Sequence, residues 1–123
     1  MGTTGTGKST TAHYLAGSDM VEFKIQIEEN SFMYHIEPVE IKNPYLKKIT
    51  TSPYNESETR FISPVLIEFK DVPGTLHTEK SIWLCDTPGW FDNRGPEIDI
   101  SNGLGVIKAI QGCKSVMPVI LIS

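Results

Sequence analysis

Nine residues near the start, Gly2-Thr3-Thr4-Gly5-Thr6-Gly7-Lys8-Ser9-Thr10, carry the residue types and spacing that phosphate chemistry needs. They read G-x-x-x-x-G-K-S, and each fixed position has a mechanical reason. Glycines at 2, 5 and 7 let the backbone turn left-handed and come close to a ligand, so that successive N–H groups can point at phosphate oxygens. Lys8 brings a full positive charge to the outer phosphates, and Ser9 offers a hydroxyl to a magnesium ion. A helix starting here would aim its positive end at the same anion. The stretch Gly2, Thr3, Thr4, Gly5, Thr6, Gly7, Lys8, Ser9 and Thr10 is therefore expected to bind the phosphates of a nucleoside triphosphate. The pattern calls for a strand before the loop and a helix after it. Only Met1 precedes Gly2, so the feeding strand is expected to be missing.

A carboxylate downstream completes the chemistry. The run Ser81-Ile82-Trp83-Leu84-Cys85-Asp86 is nearly all apolar and ends on an acid, as expected of a strand buried on both faces. The end of such a strand is where parallel α/β sheets bind ligands. There Asp86 can hold Mg2+, usually through water, while Ser9 holds it directly.

The elements that must position these groups follow from periodicity. Residues 8 to 16 read as a short helix with Ala12, Leu15 and Ala16 buried and Gly17 as its left-handed stop. From Val21 the period changes to two, Val21, Phe23, Ile25 and Ile27 alternating with Glu22, Lys24, Gln26 and Glu28. A second extended run from Phe32 to Ile41 pairs with it most simply as a hairpin, so residues 20–48 read as a β-hairpin insertion. Residues 42 to 60 read as a long surface loop. Strand character returns from Phe61 to Phe69. A helix begins near Asp99 or Ser101, with Ile100, Leu104, Ile107 and Ile110 at helical spacing, and stops at Gly112. Val116 to Ile122 reads as another buried strand.

Composition bounds the function classes. The chain has 123 residues, 39% of them hydrophobic, and a net charge of −4. That suits one folded unit or part of one, and it argues against broad nucleic-acid or anionic-membrane binding, which needs a basic face. The apolar runs fall short of the ~20 residues of a membrane helix and no leader segment is evident, so a cytoplasmic, intracellular location follows by default. Cys85 and Cys113 lie 28 positions apart and fit neither a zinc site nor a disulfide framework.

Together, G-T-T-G-T-G-K-S-T and D-T-P-G-W-F-D resemble the GTPase side of the P-loop NTPase superfamily, most of all the septins and the immunity-associated nucleotide-binding proteins. The resemblance implies an α/β, three-layer P-loop NTPase fold with a mostly parallel sheet, here a G domain truncated at both ends. It implies GTP binding with Mg2+ and slow hydrolysis to GDP and phosphate, with Lys8 as a catalytic residue. Asp86 and Gly89 meet the D-x-x-G signature, the Gly89 N–H sensing the γ-phosphate. Ser57-Glu58-Thr59-Arg60 is similar to the S-x-T-[KR] pattern of these families, which makes Thr59 the catalytic and magnesium-ligating threonine, with Thr50, Thr51 and Ser57 close by. The guanine-reading N/T-K-x-D motif does not occur. An ATPase therefore stays open, as does a nucleotide-dependent assembly scaffold with negligible hydrolysis. A homo-oligomer or a GAP-like partner would fit either. Trp90 stands directly after D-x-x-G, where small GTPases often carry a glutamine, so intrinsic hydrolysis is expected to be slow.

Overall fold

A computed structural model describes residues 1–3, 5–52, 61–72, 80–90 and 95–122. The first element, α1 (Lys8–Leu15), grows directly out of the glycine-rich loop. Its buried side is small, with Ala12 and Ala16 in the core and Leu15 packed at its margin. Gly17 follows at φ 79°, the left-handed conformation that ends the helix at little steric cost.

The alternating stretch that follows forms a hairpin. Strands β1 (Asp19–Glu28) and β2 (Ser31–Glu40) pair antiparallel, with Val21 opposite Glu37, Phe23 opposite His35 and Ile25 opposite Met33. The register slips at Asp19/Met20 and at Gln26/Glu28. At the turn the Gln26 amide donates to the carbonyls of Glu28 and Glu29, both at 3.1 Å. At the open end Lys42 pairs with Asp19 at 3.0 Å. The Lys42 hydrogen bond and its charge hold the Asp19 carboxyl below its ordinary pKa.

The long loop expected after the hairpin contains a built feature. Residues Pro44–Lys48 form a 3-10 turn capped by Asn43, whose Oδ1 accepts from the Tyr45 N–H at 3.0 Å. The same amide donates to the Leu66 carbonyl at 2.7 Å. One side chain thus caps the turn and fastens it to β3 (Ser63–Glu68). The turn also delivers Leu46 into the core, where Leu46 and Val65 are wholly buried beside Ile49 and Ile67. Replacing Asn43 by alanine is expected to cost about 1 kcal/mol, the usual cost of a lost cap. A lower urea midpoint with an unchanged denaturant slope would register it.

His13 ties α1 to this turn from the other side. Its ring is fully buried, with Nε2 2.9 Å from the Ile49 carbonyl and Nδ1 3.3 Å from the Ser18 hydroxyl. A carbonyl only accepts, so Nε2 carries the proton. This histidine is a structural clamp, and its buried polar atoms are satisfied.

β3 pairs antiparallel with β4 (Ser81–Asp86), Ser63 standing opposite Asp86 and Glu68 opposite Ser81. A 3-10 turn at Phe69–Asp71 follows β3. The last helix, α2 (Pro96–Gln111), begins with proline in its first turn and carries Glu97 and Asp99 there, where the helix dipole favours acids.

These elements correct the expected architecture. Among the described residues the sheets are two antiparallel pairs, β1–β2 and β3–β4, rather than the mostly parallel, three-layer P-loop NTPase sheet that the resemblance implies. The physical reason lies in cover. A parallel sheet needs both faces buried under helices, and α2 buries none of its residues: Ile100, Leu104 and Ile107 are each more than half exposed. β4, expected to be buried on both faces, is buried only at Asp86, with Leu84 half-buried. Val116 to Ile122, expected as a buried strand, belongs to none of the strands, and Met117 and Ile122 are almost fully exposed. Pro118 removes a ladder donor from the middle of that segment. Among the described residues no helix is long and apolar enough to cross a membrane.

Candidate functional site

The phosphate-type loop is built by its own short-range bonds. The Thr6 hydroxyl donates to the Thr3 carbonyl at 2.9 Å and the Thr6 N–H to the same oxygen at 3.4 Å, closing a tight turn. Gly5 and Gly7 take φ 83° and 75°, left-handed values that any other residue would adopt only at a cost of about 1–2 kcal/mol. Gly2 is needed for a different reason. A Cβ there would stand 2.6 Å from the Leu121 carbonyl oxygen, a backbone atom, and 2.8 Å from the Thr6 hydroxyl.

α1 begins at Lys8 with Gly7 as its N-cap, and no side chain caps it. Its first turn carries no acidic residue. The helix end is thus positive, and no acid of its own first turn offsets it. Lys8 reaches back across the loop and its Nζ donates to the Thr3 carbonyl at 2.6 Å. Burial lowers the Lys8 pKa, and the Asp86 carboxylate offsets part of that effect.

Asp86 arrives from the opposite side of the site, at the end of β4. It is 4% exposed, and its Oδ2 accepts from the Ser9 hydroxyl at 2.8 Å across 77 residues of sequence. The following residues 87–89 are buried, Gly89 among them. They are fastened to the loop by the Trp90 N–H, which donates to the Gly2 carbonyl at 3.0 Å, and Thr3 bridges Trp90 in parallel fashion.

The structure therefore gathers Gly2, Thr3, Gly5, Thr6, Gly7, Lys8, Ser9, Thr10, Asp86 and Gly89 about one loop. Thr4 and Thr59 lie outside the described residues. A cleft of about 1010 Å³ reaches Asp86, lined also by Tyr45, Lys47, Lys48, Phe61 and Trp83 among others. The Tyr45 and Trp83 rings meet edge to face there at 5.7 Å. Of the expected site residues only Asp86 lines this cleft, and Thr50 shares it. Two contacts escaped sequence reasoning: the Thr3 carbonyl as the seat of Lys8, and the Trp90 amide as the tie to Gly2. Both involve backbone atoms, which leave no mark on residue type.

The Ser9 and Asp86 oxygens also fit a magnesium ion. Both are hard oxygen donors of the kind Mg2+ takes, a hydroxyl and a carboxylate, drawn together here by their own 2.8 Å hydrogen bond. Magnesium is ordinarily held by one or two protein oxygens, with phosphates and water supplying the rest.

What fold and site define together, among the described residues, is two small antiparallel sheets and two helices, with a glycine-rich loop facing a buried carboxylate. No protein-family description, no curated protein and no solved structure matches it. The resemblance to P-loop GTPases of the septin and immunity-associated kind is thereby corrected. No homology evidence supports it, and the antiparallel topology is not the one it implies.

Proposed function

We propose that this chain binds a nucleoside triphosphate together with Mg2+ and hydrolyses it slowly. The observation that carries the reading is the convergence of Lys8 and the uncapped start of α1 with the Ser9–Asp86 pair, oxygens 2.8 Å apart, over one glycine-rich loop. In this reading the loop N–H groups hold the phosphates. Lys8 exchanges its bond to the Thr3 carbonyl for a phosphate oxygen, a stronger charge-assisted bond. Ser9 and Asp86 would hold magnesium, which when bound neutralises charge on the outer phosphates. Hydrolysis would join a water oxygen to the terminal phosphorus and release the diphosphate, giving inorganic phosphate and a proton. The chain's own share is positioning and charge neutralisation. Trp90 offers one indole donor and no acceptor, so it cannot orient the attacking water.

GTP and ATP are the two candidate ligands, because no described residue is placed to read a base. Titration with fluorescent GTP and ATP in magnesium, followed by single-turnover phosphate release, tests the proposal. Binding of at least one nucleotide is expected, with turnover near ~10⁻⁴ per second, the unassisted rate of enzymes lacking a partner. Absence of binding by either triphosphate overturns the proposal. Binding without any turnover would reduce it to a nucleotide-dependent scaffold.

A further inference from the structure

We infer that the cleft reaching Asp86 is a binding site for a small aromatic acid, separate from the glycine-rich loop. Its walls come from two elements. In a 3-10 turn the side chains repeat every three residues, so while Leu46 of Pro44–Lys48 enters the core, Tyr45, Lys47 and Lys48 stay exposed. β4 supplies the second wall. Trp83 stands opposite Leu66, on the face of the β3–β4 pair turned away from Val65 and Ile67, and it is 58% exposed.

These walls offer a ligand ring surface in a concave setting. The Tyr45 and Trp83 rings meet edge to face, centroids 5.7 Å apart at 82°, an arrangement that steadies both. Phe61 adds a third ring, 79% exposed. Rings gathered in one hollow and left exposed mark a binding surface rather than a core. The volume of about 1010 Å³ stands at the upper end of ordinary small-ligand pockets.

Charge sets the sign of the ligand. Lys47 and Lys48 both line the cleft, and among the described residues neither makes a salt bridge, whereas Lys42 and Lys70 have acids beside them, Asp19 and Glu68. Asp86 is the one acid among the described lining residues, and it is buried and already accepts from the Ser9 hydroxyl. On a chain of net charge −4 the mouth of this cleft is therefore locally positive. Two lysines would repel a cationic ligand, while a carboxylate carried on a ring engages them and the rings together. Two cations are too few to hold a nucleic-acid backbone against that net charge. The inference does not depend on nucleotide binding, since none of the described loop residues lines the cleft.

Titration of the intact, nitrogen-15-labelled chain tests it, with naphthalene-2-carboxylate as the probe and two controls, the neutral naphthalene-2-carboxamide and the ring-saturated cyclohexanecarboxylate. Trp90→Phe tells the two indole N–H signals apart. The naphthoate is expected to move the Trp83 signal and to bind about tenfold more tightly than either control. The double variant Lys47→Gln, Lys48→Gln is expected to bring the carboxylate down to the level of the carboxamide, whose own affinity stays unchanged. Raising the salt concentration on the unmutated chain should act in the same direction, weakening the carboxylate alone. Equal binding of carboxylate and carboxamide overturns the site, as does a carboxylate preference that survives both the double variant and high salt. So does a signal change confined to Trp90. Simultaneous binding of naphthoate and a magnesium triphosphate supports a separate site, and displacement of the naphthoate by GTP or ATP overturns it by giving the cleft to the nucleotide.

Discussion

Lys8→Ala is expected to weaken triphosphate binding by about 2 kcal/mol or more, roughly 30-fold, with little change in fold stability. The two halves of that expectation come from different contacts. Toward a ligand, Lys8 is the loop's one full positive charge, and a bond from an ammonium to a phosphate is among the strong hydrogen bonds of proteins. Toward its own chain, Lys8 makes one bond to the Thr3 carbonyl, and that oxygen also accepts from the Thr6 hydroxyl and N–H. Removing the ammonium therefore leaves no orphaned acceptor. The lowered pKa of Lys8, caused first by burial, says that the site holds the charge at some cost while no anion is present. Fluorescent-nucleotide titration alongside thermal melting separates the two halves. Equal affinity in variant and wild type would remove Lys8 from the site. A large fall in melting temperature would recast it as a structural residue.

The loop's turns and the start of α1 were legible in the sequence because they are local. Gly5, Gly7, Lys8 and Ser9 act within a few bonds of one another, and their left-handed turns and helix start follow from residue type. The β1–β2 hairpin was legible for the same reason, since its alternation and turn are contiguous. Asp86 was placed correctly at the end of a strand, yet the sheet around that strand was not. Sheet direction depends on which segments find each other across long stretches of chain, and nothing local in Ser81–Asp86 states that β3 will be its antiparallel partner. The α2 residues Ile100, Leu104 and Ile107 show a similar limit. Helical spacing predicted a stripe, but whether a stripe is covered depends on the rest of the fold, and here it faces outward. The buried His13 and the double role of Asn43 were invisible because both act through backbone carbonyls distant in sequence.

Asp86→Asn is expected to abolish the magnesium dependence of triphosphate binding. Its affinity in excess magnesium should fall on the order of 100-fold, to the level seen in a chelator. The substitution keeps the size of the side chain and leaves an oxygen that can still accept from the Ser9 hydroxyl, so the 2.8 Å contact has a replacement. What it removes is the negative charge, which a hard divalent cation requires and a loop lined with N–H groups does not. The stability readout weighs two opposed effects. A carboxylate only 4% exposed is costly to hold ionised, but it also attracts the Lys8 ammonium, so the amide is expected to change the melting temperature by no more than a few degrees. Ser9→Ala supplies the second arm. If Ser9 and Asp86 serve one cation, the double variant should lose little more affinity than Asp86→Asn alone, because the second loss has nothing left to act on. Additive losses would mean that the two residues contact the nucleotide separately. Full magnesium dependence in Asp86→Asn would mean that the cation is held elsewhere and that the Ser9–Asp86 bond only closes the loop onto β4.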